Sequence, residues 1–291
     1  MRKVFLSFAD SRMHRALRRI NLQAHQLNCY DHVITTDESG LDIRFREDFR
    51  DKLSPSLRGY GYWCWKPQII IQILNQLDDG DILQYTDAGC HLNPNGLERL
   101  KEYFQLTSQS ETGILAFQAI PPIFHDAAVK LPNQTEMLWC KGDLCDYFNA
   151  RDKATIMDSP TIGAGIIFIK KCDASLSIIK KWLSIYRENF SLLDDTPSES
   201  ANFPGFIAHR HDQSIFSILC KLNKVETISA YEYWYPSSLI SMLPDWEKLK
   251  FYPIHVKRDK GIPPLLWPYY LIIRVLKRIK LEAIKRSKYV N

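Results

Sequence analysis

The hydrophobic pattern alternates between short apolar runs and longer segments with apolar residues at helical spacing. Charged and turn-forming residues bound the short runs, as is typical of buried strands, whereas the longer segments predict amphipathic helices. The predicted strands are 3–8, 31–36, 82–85, 113–119 and 161–169. The predicted helices are 13–22, 68–77, 98–106, 174–190 and 209–220. Strands and helices that alternate in this way predict an α/β domain containing a parallel sheet.

The stretch 80–93, G-D-I-L-Q-Y-T-D-A-G-C-H-L-N, places an acid directly after one of these strands. An acid at the end of a buried strand lies at the edge where open α/β sheets bind ligands. Asp87 could instead cap a turn for which Gly89 supplies a positive φ. We favour a functional role because other polar features can be assigned roles around Asp87.

The loop after the first strand, Ser7-Phe8-Ala9-Asp10, is where such sheets usually hold a nucleotide. Neither the dinucleotide fingerprint nor the P-loop sequence occurs in the chain. The nucleotide site, if present, must therefore be built from other residues.

The segment 58–67, R-G-Y-G-Y-W-C-W-K-P, combines two glycines with four aromatic rings. It fits a mobile loop that lays rings such as Tyr62 and Trp65 against a ligand, and equally a packed aromatic corner. Lys66 would reach a phosphate in the first case. Pro67 is expected to open the following helix, since proline is favoured at a first helical position.

Two further polar positions are candidates for a site. Asp212 lies in H-D-Q-S near the start of a helix, where the helix dipole favours a carboxylate even without a function. His255 lies in a short strand-like run before Lys257 and Arg258. A lone histidine in an apolar strand is more often a core residue than a ligand.

Composition indicates a soluble globular protein: the 291 residues are 45% hydrophobic and 24% charged. The formal net charge is +5, but the stretch from Arg274 to Lys288 alone holds seven basic residues and one acid. The rest of the chain is therefore nearly neutral. This distribution argues against a nucleic-acid-binding surface and for one local anionic partner.

The seven cysteines form no C-x-x-C pair, and an odd number in a long chain indicates reduced thiols in the cytoplasm. Cys140 and Cys145 would suit two zinc ligands, but no second pair follows, so buried free thiols are favoured. The N-terminus has too short an apolar segment for a secretory signal, and no apolar run is long enough to span a bilayer.

From Leu271 onward, apolar residues share one face of a predicted helix and most of the basic residues share the other, with Arg286 as an exception. Such a helix suits an anionic membrane surface, and Trp267, Tyr269 and Tyr270 precede it as interfacial aromatic residues. The alternative is a terminal helix packed on the domain with a solvated basic face. We predict a catalytic domain over 1–262 and a membrane-contact helix over 263–291.

Four segments in order, G-Y-W-C-W-K-P, G-D-I-L-Q-Y-T-D-A-G-C, G-A-G-I-I-F-I and H-D-Q-S, resemble a bacterial nucleotide-sugar glycosyltransferase of the GT-A fold. The similarity is to enzymes that build lipopolysaccharide O-antigen or capsular polysaccharide, and it covers residues 1–260. It implies a Rossmann-like mixed central sheet flanked by helices. The order of the segments is more specific than any one of them.

Members of this family usually carry an Asp-x-Asp motif that holds Mn²⁺ or Mg²⁺ on the donor diphosphate. Asp87 matches the first acid, but Gly89 stands at the third position. The resemblance makes His255 a candidate metal ligand, and His91 a less favoured substitute for the missing acid. A hard cation accepts oxygen ligands together with one imidazole. Lys66, Lys257 and Arg258 could supply fixed positive charge for the leaving diphosphate instead, or assist the metal.

The resemblance also assigns the remaining roles. Asp212 would face the donor sugar and the acceptor, and Gln213 would hold sugar hydroxyls. The nucleotide sugar, expected to be a UDP-sugar, would contact Ser7, Phe8, Asp10, Tyr62, Trp65, Lys66, Asp87 and Lys257. The acceptor would be a lipid-linked glycan at the inner face of the bacterial cytoplasmic membrane.

Two alternatives come from other functional classes. A non-catalytic glycan- or nucleotide-binding subunit of a polysaccharide assembly complex would also lack a second acid. A nucleotidyltransferase would share the sheet, but it should carry a glycine-rich, basic phosphate loop after its first strand. The sequence Ser7-Phe8-Ala9-Asp10 is not such a loop.

Overall fold

A computed structural model of the chain describes residues 1–237 and 243–260. Within them, six strands form a sheet in the order β2-β1-β3-β6-β5-β7. Strand β6 runs antiparallel to both of its neighbours, and the other pairings in this sheet are parallel. The strands are β1 (Lys3–Phe8), β2 (His32–Thr36), β3 (Ile82–Thr86), β4 (His91–Leu92), β5 (Ile114–Gln118), β6 (Ile162–Lys170), β7 (Glu226–Ser229) and β8 (Ile254–His255).

Helices cover both faces of the sheet. The described helices are α1 (His14–Leu27), α2 (Ile43–Asp48), α3 (Gly59–Tyr62, a single turn), α4 (Trp65–Leu74), α5 (Leu97–Gln109), α6 (Glu136–Trp139), α7 (Gly142–Tyr147), α8 (Ala154–Met157), α9 (Asp173–Glu188) and α10 (Asp212–Leu222). Short 3₁₀ turns cover Ser11–Met13, Glu38–Gly40, Pro94–Gly96, Phe190–Leu192 and Ala230–Glu232.

Alternate residues of the strands build two separate cores, because successive strand side chains point to opposite faces. Leu83 and Tyr85 of β3 pack with α4, α9 and α10, whereas Ile82 packs with α1 and α5. Both faces of β3 are buried, which explains why its sequence reads as one continuous apolar run. The result is a three-layer arrangement of helices, sheet and helices.

The predicted α/β class and mixed central sheet are confirmed. All five predicted strands are present, and β7 completes the sheet at its edge. The run containing His255 forms β8, which pairs antiparallel with β4 so that His255 lies opposite His91. This two-stranded sheet was not predicted, because two-residue strands leave no periodic pattern in a sequence.

Helix α4 begins two residues before Pro67 rather than at it. Pro67 therefore occupies the first turn, where its missing N–H breaks no helical hydrogen bond. Lys66 consequently lies inside the helix and is buried instead of belonging to a mobile loop.

The seven cysteines lie among the described residues and are free thiols. Cys140 and Cys145 are buried with their Sγ atoms 3.5 Å apart. In the described part of the chain, no helix has the length and apolarity needed to cross a membrane. The predicted membrane-contact helix over 263–291 lies outside the described residues.

Candidate functional site

The site lies where the carboxyl ends of β1 and β3 meet the amino end of the antiparallel strand β6. Asp87 follows β3 directly, and its backbone N–H donates to the carbonyl oxygen of Gly165 on β6 at 2.8 Å. The hydroxyl of the buried Tyr85 donates to Asp87 Oδ1 at 2.7 Å. Asp87 is therefore fixed by the end of its own strand and by a neighbouring strand.

A buried lysine joins two carboxylates at this edge. Lys66 Nζ lies 2.6 Å from Asp212 Oδ2 and 3.3 Å from Asp87 Oδ1, and it also donates to the carbonyl of Ala164 at 3.1 Å. Helix α4 supplies Lys66, the end of β3 supplies Asp87 and the first turn of α10 supplies Asp212. The fold thus brings together three of the residues that the sequence singled out.

The three side chains differ in exposure. Asp87 exposes 38% of its side chain, Asp212 8% and Lys66 2%. Asp87 is therefore the carboxylate that a ligand arriving from solvent would meet first.

Burial raises the pKa of Asp212 to about 6, although Lys66 opposes that shift. Burial also opposes protonation of Lys66, but the adjacent Asp212 and Asp87 outweigh it and leave the lysine pKa raised. The lysine therefore stays charged while Asp212 becomes a stronger base than an exposed aspartate. A perturbed carboxyl group with a specific charged partner is a feature of functional sites.

Strand β6 makes room for Asp87 through a glycine. A Cβ atom placed on Gly165 would lie 2.9 Å from Asp87 Oδ2. Gly163, two residues earlier on the same face, similarly faces the hydroxyl of Tyr233 at 2.8 Å. Gly163 and Gly165, the glycines of the segment G-A-G-I-I-F-I, thus allow side chains of other segments to approach β6 closely.

Strained backbone borders the lysine and Asp212. Residues 59–63 all have positive φ, and Tyr60, Tyr62 and Trp63 are not glycine. His211, just before Asp212, also has a positive φ of 56°. Its ring lies 5.0 Å from that of Tyr62 and 5.9 Å from that of Trp63. Such strain persists only where surrounding contacts enforce it, and it clusters at functional sites.

The residues of the first loop have structural contacts. Ser7 Oγ donates to the carbonyl of Thr86 at 2.7 Å, which ties β1 to the end of β3. Phe8 stacks on Trp65 with ring centroids 4.0 Å apart, and both rings are buried. The Nε of Arg12 donates to Asp10 Oδ1 at 2.7 Å. For Phe8 and Trp65 the structure shows a packed aromatic corner.

Three further residues predicted to contact the donor differ in burial. Tyr62 and Gln213 are partly buried, and Lys257 is exposed. The ammonium group of Lys257 lies 5.5 Å from the centre of the Trp246 ring.

The histidines proposed as metal ligands are directed elsewhere. His91 Nε2 lies 3.0 Å from Asp259 Oδ2, and its Nδ1 lies 3.4 Å from the Gln23 amide nitrogen. His255 Nε2 donates to the carbonyl of Leu249 at 2.9 Å. Over residues 1–237 and 243–260, no group of three His, Cys, Asp or Glu side chains is placed to hold a metal ion. The predicted set of Asp87, His91 and His255 therefore does not fit a metal as arranged.

Sequence reasoning missed two neighbours of Asp212. Arg210 places its guanidinium Cζ 3.7 Å from the centre of the Trp139 ring. His211 donates from Nδ1 to the carbonyl of Leu193 at 2.8 Å, and its Nε2 lies 3.0 Å from Arg58 Nη1. The only signal in the sequence was the crowding of charged and imidazole groups in H-R-H-D-Q. That signal does not reveal where the side chains point.

No family model matches the chain, and no curated protein matches it in sequence. Among solved structures, it is similar to a glycosyltransferase involved in the glycosylation of the major capsid of PBCV-1. The identity is 11%, the TM-score is 0.44, and the match covers 88% of this chain and 92% of that one.

Mouse xyloside xylosyltransferase 1 gives 10% identity and a TM-score of 0.46, over 90% of this chain and 99% of that one. The glycosyltransferase GlyE of Streptococcus pneumoniae gives 12% identity and a TM-score of 0.36, over 79% of this chain and 45% of that one. Similarity at this level does not decide function, which must be argued from the site.

Proposed function

We propose that the protein is a glycosyltransferase that moves a sugar from a nucleotide-sugar donor, expected to be a UDP-sugar, to a hydroxyl group of a glycan acceptor. The observation that carries this proposal is the cluster of Lys66, Asp87 and Asp212 at the carboxyl edge of the sheet. The order of the sequence segments that supply this cluster, together with their resemblance to GT-A glycosyltransferases, supports the same function.

Glycosyl transfer breaks the bond between the sugar C1 and a phosphate oxygen, and the electron pair leaves with the nucleoside diphosphate. The acceptor oxygen forms the new bond to C1 and loses its proton. Asp212 is suited to accept that proton, because burial has raised its pKa to about 6. Asp87, which is more exposed, would contact and orient the sugar. Lys66 holds the two carboxylates at a fixed separation.

His91 and His255 make other contacts, and each step above uses side chains of the protein alone. A divalent ion remains a prediction in which Asp87 and the phosphates of the donor would supply the ligands. Negative charge that develops on the leaving diphosphate still requires positive charge nearby.

We further propose that the acceptor is lipid-linked and that the basic tail holds the enzyme at the inner face of the cytoplasmic membrane. The support is the sequence of the tail, with seven basic residues between Arg274 and Lys288 after three aromatic residues. Confinement to the membrane would raise the effective concentration of a lipid-anchored acceptor.

The decisive experiment is a screen of nucleotide sugars for binding and for release of the free nucleotide, with Mn²⁺ and with a chelator. We expect at least one nucleotide sugar to bind and to be hydrolysed slowly without an acceptor. Asp87→Ala should abolish that turnover. Failure of every nucleotide sugar to bind, or full turnover by Asp87→Ala, would contradict the proposal.

A further inference from the structure

The first long helix of the domain lies in a segment of concentrated positive charge. Residues 11–30, which include α1, hold four arginines and no acidic residue, so their formal net charge is +4. Residues 1–260 together carry a net charge of −1, which leaves −5 for the rest of the domain. The nearly neutral body therefore combines one basic segment with an otherwise acidic domain.

Helical spacing places the charges of α1 on one exposed stripe. Arg15, Arg18 and Leu22 follow one another at intervals of three and four residues, and all three are exposed. Leu22 exposes 53% of its surface, so the stripe combines basic groups with an apolar side chain. We call these three residues the α1 stripe. The shallow groove along it is lined by Arg15, Arg18, Arg19, Leu22, Gln23 and Gln26.

Two side chains of α1 tie the helix to the segment that precedes the basic tail. Arg19 forms an ion pair with Asp259 at 2.9 Å and donates to the carbonyl of Cys90 at 3.1 Å. The side chain of Gln23 accepts a hydrogen bond from the N–H of Leu92 at 3.1 Å. Asp259 is the last described residue but one, and the basic tail follows further along the chain. The chain therefore leaves the described domain beside α1.

The same arginine joins α1 to the candidate active site. Arg19 Nη2 donates to the carbonyl of Ala88 at 2.7 Å, and Ala88 directly follows Asp87. A surface that binds the α1 stripe would therefore hold the turn that carries Asp87 in a fixed orientation.

The charge pattern indicates which partner fits the α1 stripe. The tail is itself basic, so like charges disfavour its docking on the stripe. An extended anionic surface would attract both basic elements at once, and an anionic membrane is such a surface. Leu22 fits this partner, because membrane-contact helices combine basic residues with apolar ones such as leucine.

We propose that the α1 stripe is a second contact with the anionic membrane and that it orients the domain on the surface to which the tail attaches. This inference rests on the proposed membrane attachment of the tail, and it does not depend on which sugar is transferred. Two arginines and one leucine are too few to hold the domain on a membrane, so the tail supplies most of the affinity. The stripe contributes in the full chain because the tail keeps it close to the surface.

The test is sedimentation of the full chain with vesicles of phosphatidylglycerol and phosphatidylcholine at low salt. Arg15→Glu combined with Arg18→Glu should weaken vesicle binding about tenfold or more, because each arginine near an anionic surface contributes severalfold to the affinity. Arg15→Gln combined with Arg18→Gln should give a smaller loss. Leu22→Gln should weaken binding at every salt concentration at which binding is measurable, since salt screens charge but not apolar contact.

The matched control is Arg44→Glu combined with Arg46→Glu on α2. Both arginines are exposed, and the change in net charge is the same. Helix α2 lies on the opposite face of the sheet, since its Phe45 packs in one core and Ile20 of α1 packs in the other. This control should bind vesicles within about twofold of the unmodified chain, because its arginines do not face the membrane in our proposal.

A fluorophore on the stripe separates direct contact from attraction at a distance. The partly exposed cysteines are first replaced, by Cys29→Ser and Cys172→Ser. A polarity-sensitive fluorophore attached to Leu22→Cys should then shift to shorter wavelength when the anionic vesicles are added. The same fluorophore at Ile43→Cys, an exposed position on α2, should show no shift.

Unchanged vesicle binding by the Arg15 and Arg18 variants, equal losses in these variants and the α2 control, or no shift at position 22 would each overturn the inference. Tighter binding of a DNA duplex than of the vesicles, with the same dependence on the two arginines, would also overturn it. Failure of the unmodified chain to bind anionic vesicles would reject the membrane role of both the stripe and the tail. Release of nucleotide from a soluble donor would still test the glycosyltransferase function separately.

Discussion

Asp212 illustrates how one residue can have both a structural and a chemical role. It is the first residue of α10, where an acid stabilises the helix through its dipole. It is also buried against Lys66, with a raised pKa. A capping role needs neither burial nor a lysine partner, so the tertiary contacts favour the chemical role.

The raised pKa fixes the direction of the pH dependence. Asp212 accepts a proton only when it is ionised, and with a pKa of about 6 it becomes protonated as the pH falls below that value. We therefore expect transferase activity to fall on the acid side with a midpoint of about pH 6. Asp212→Asn should lower kcat about 100-fold or more and remove the acid limb of the remaining activity.

The matched control for this variant is Asp173→Asn. Asp173 is the first residue of α9, as Asp212 is of α10, but it is exposed. The control should keep the activity and its pH profile. An Asp212→Asn enzyme with an unchanged acid limb would show that another group sets the limb.

Gly165 gives a test of the position of Asp87. Its replacement by alanine places a Cβ atom 2.9 Å from Asp87 Oδ2, so the carboxylate must move. We expect Gly165→Ala to lower kcat about 10- to 100-fold, because small displacements of a reacting group have large effects on rate. Steady-state kinetics of the variant and of the unmodified enzyme measures this change in kcat.

Gly163→Ala is the control for this prediction. It introduces a similar crowding on the same strand, but against the hydroxyl of Tyr233 at 2.8 Å. Comparable loss of thermal stability in both variants, with loss of activity only in Gly165→Ala, is the expected pattern. Equal activity losses would attribute the effect to strand β6 rather than to Asp87.

At the scale of elements, the left-handed turn over 59–63 connects the first part of the domain to α4 and therefore to Lys66. Within the turn, the Trp63 N–H donates to the carbonyl of Gly59 at 3.2 Å, and the Tyr62 N–H donates to the carbonyl of Arg58 at 2.6 Å. The glycines in G-Y-G-Y-W allow this handedness, since glycine adopts positive φ without a side-chain clash. The contacts of Tyr62 and Trp63 with His211 connect the turn to the start of α10.

Gly61→Ala tests how much stability depends on this turn. Gly61 has a φ of 91°, and an added Cβ would lie 2.6 Å from the carbonyl oxygen of Lys52, which is backbone and cannot rotate away. We expect a loss of about 2 kcal/mol or more in the free energy of unfolding, measured by denaturant titration.

Gly80→Ala separates the two causes of that loss. Gly80 also has a positive φ, 88°, but an added Cβ would meet no atom within 4 Å. Its replacement should cost about 1 kcal/mol, which is the conformational part alone. Equal losses in the two variants would mean that the clash with Lys52 is relieved by a shift of the turn.

At the scale of the whole molecule, the neutral body and the basic tail have separate roles in our proposal. The domain would bind the nucleotide sugar, and the tail would bind the anionic membrane surface. Residues after Lys260 lie outside the described structure, so this division rests on the sequence and must be tested on the full chain.

A chain ending at Tyr270 should no longer sediment with vesicles that contain anionic phospholipid, whereas the full chain should do so at low salt. The full chain should also fail to sediment with vesicles of zwitterionic phospholipid alone, and the shortened chain should still release nucleotide from a soluble donor. Unchanged sedimentation of the shortened chain would assign membrane binding to the body of the domain.

The sequence by itself determined five strands of the central sheet, the main helices and the position of Asp87, because these follow from local periodicity and from residues adjacent to a strand. It also pointed to Lys66 and Asp212 as polar residues at the ends of apolar segments. It did not place them together: their side chains meet at 2.6 Å although they are 146 residues apart.

Only the tertiary structure decided which candidates share a site. It joined Lys66 to Asp87 and Asp212, directed His91 toward Asp259 and His255 toward Leu249, and placed Arg258 against Gly89. Local sequence sets which backbone conformations a segment prefers, but side-chain partners depend on how distant segments pack. Because a buried polar group needs a hydrogen-bond partner within the protein, the fold determines the direction in which its side chain points.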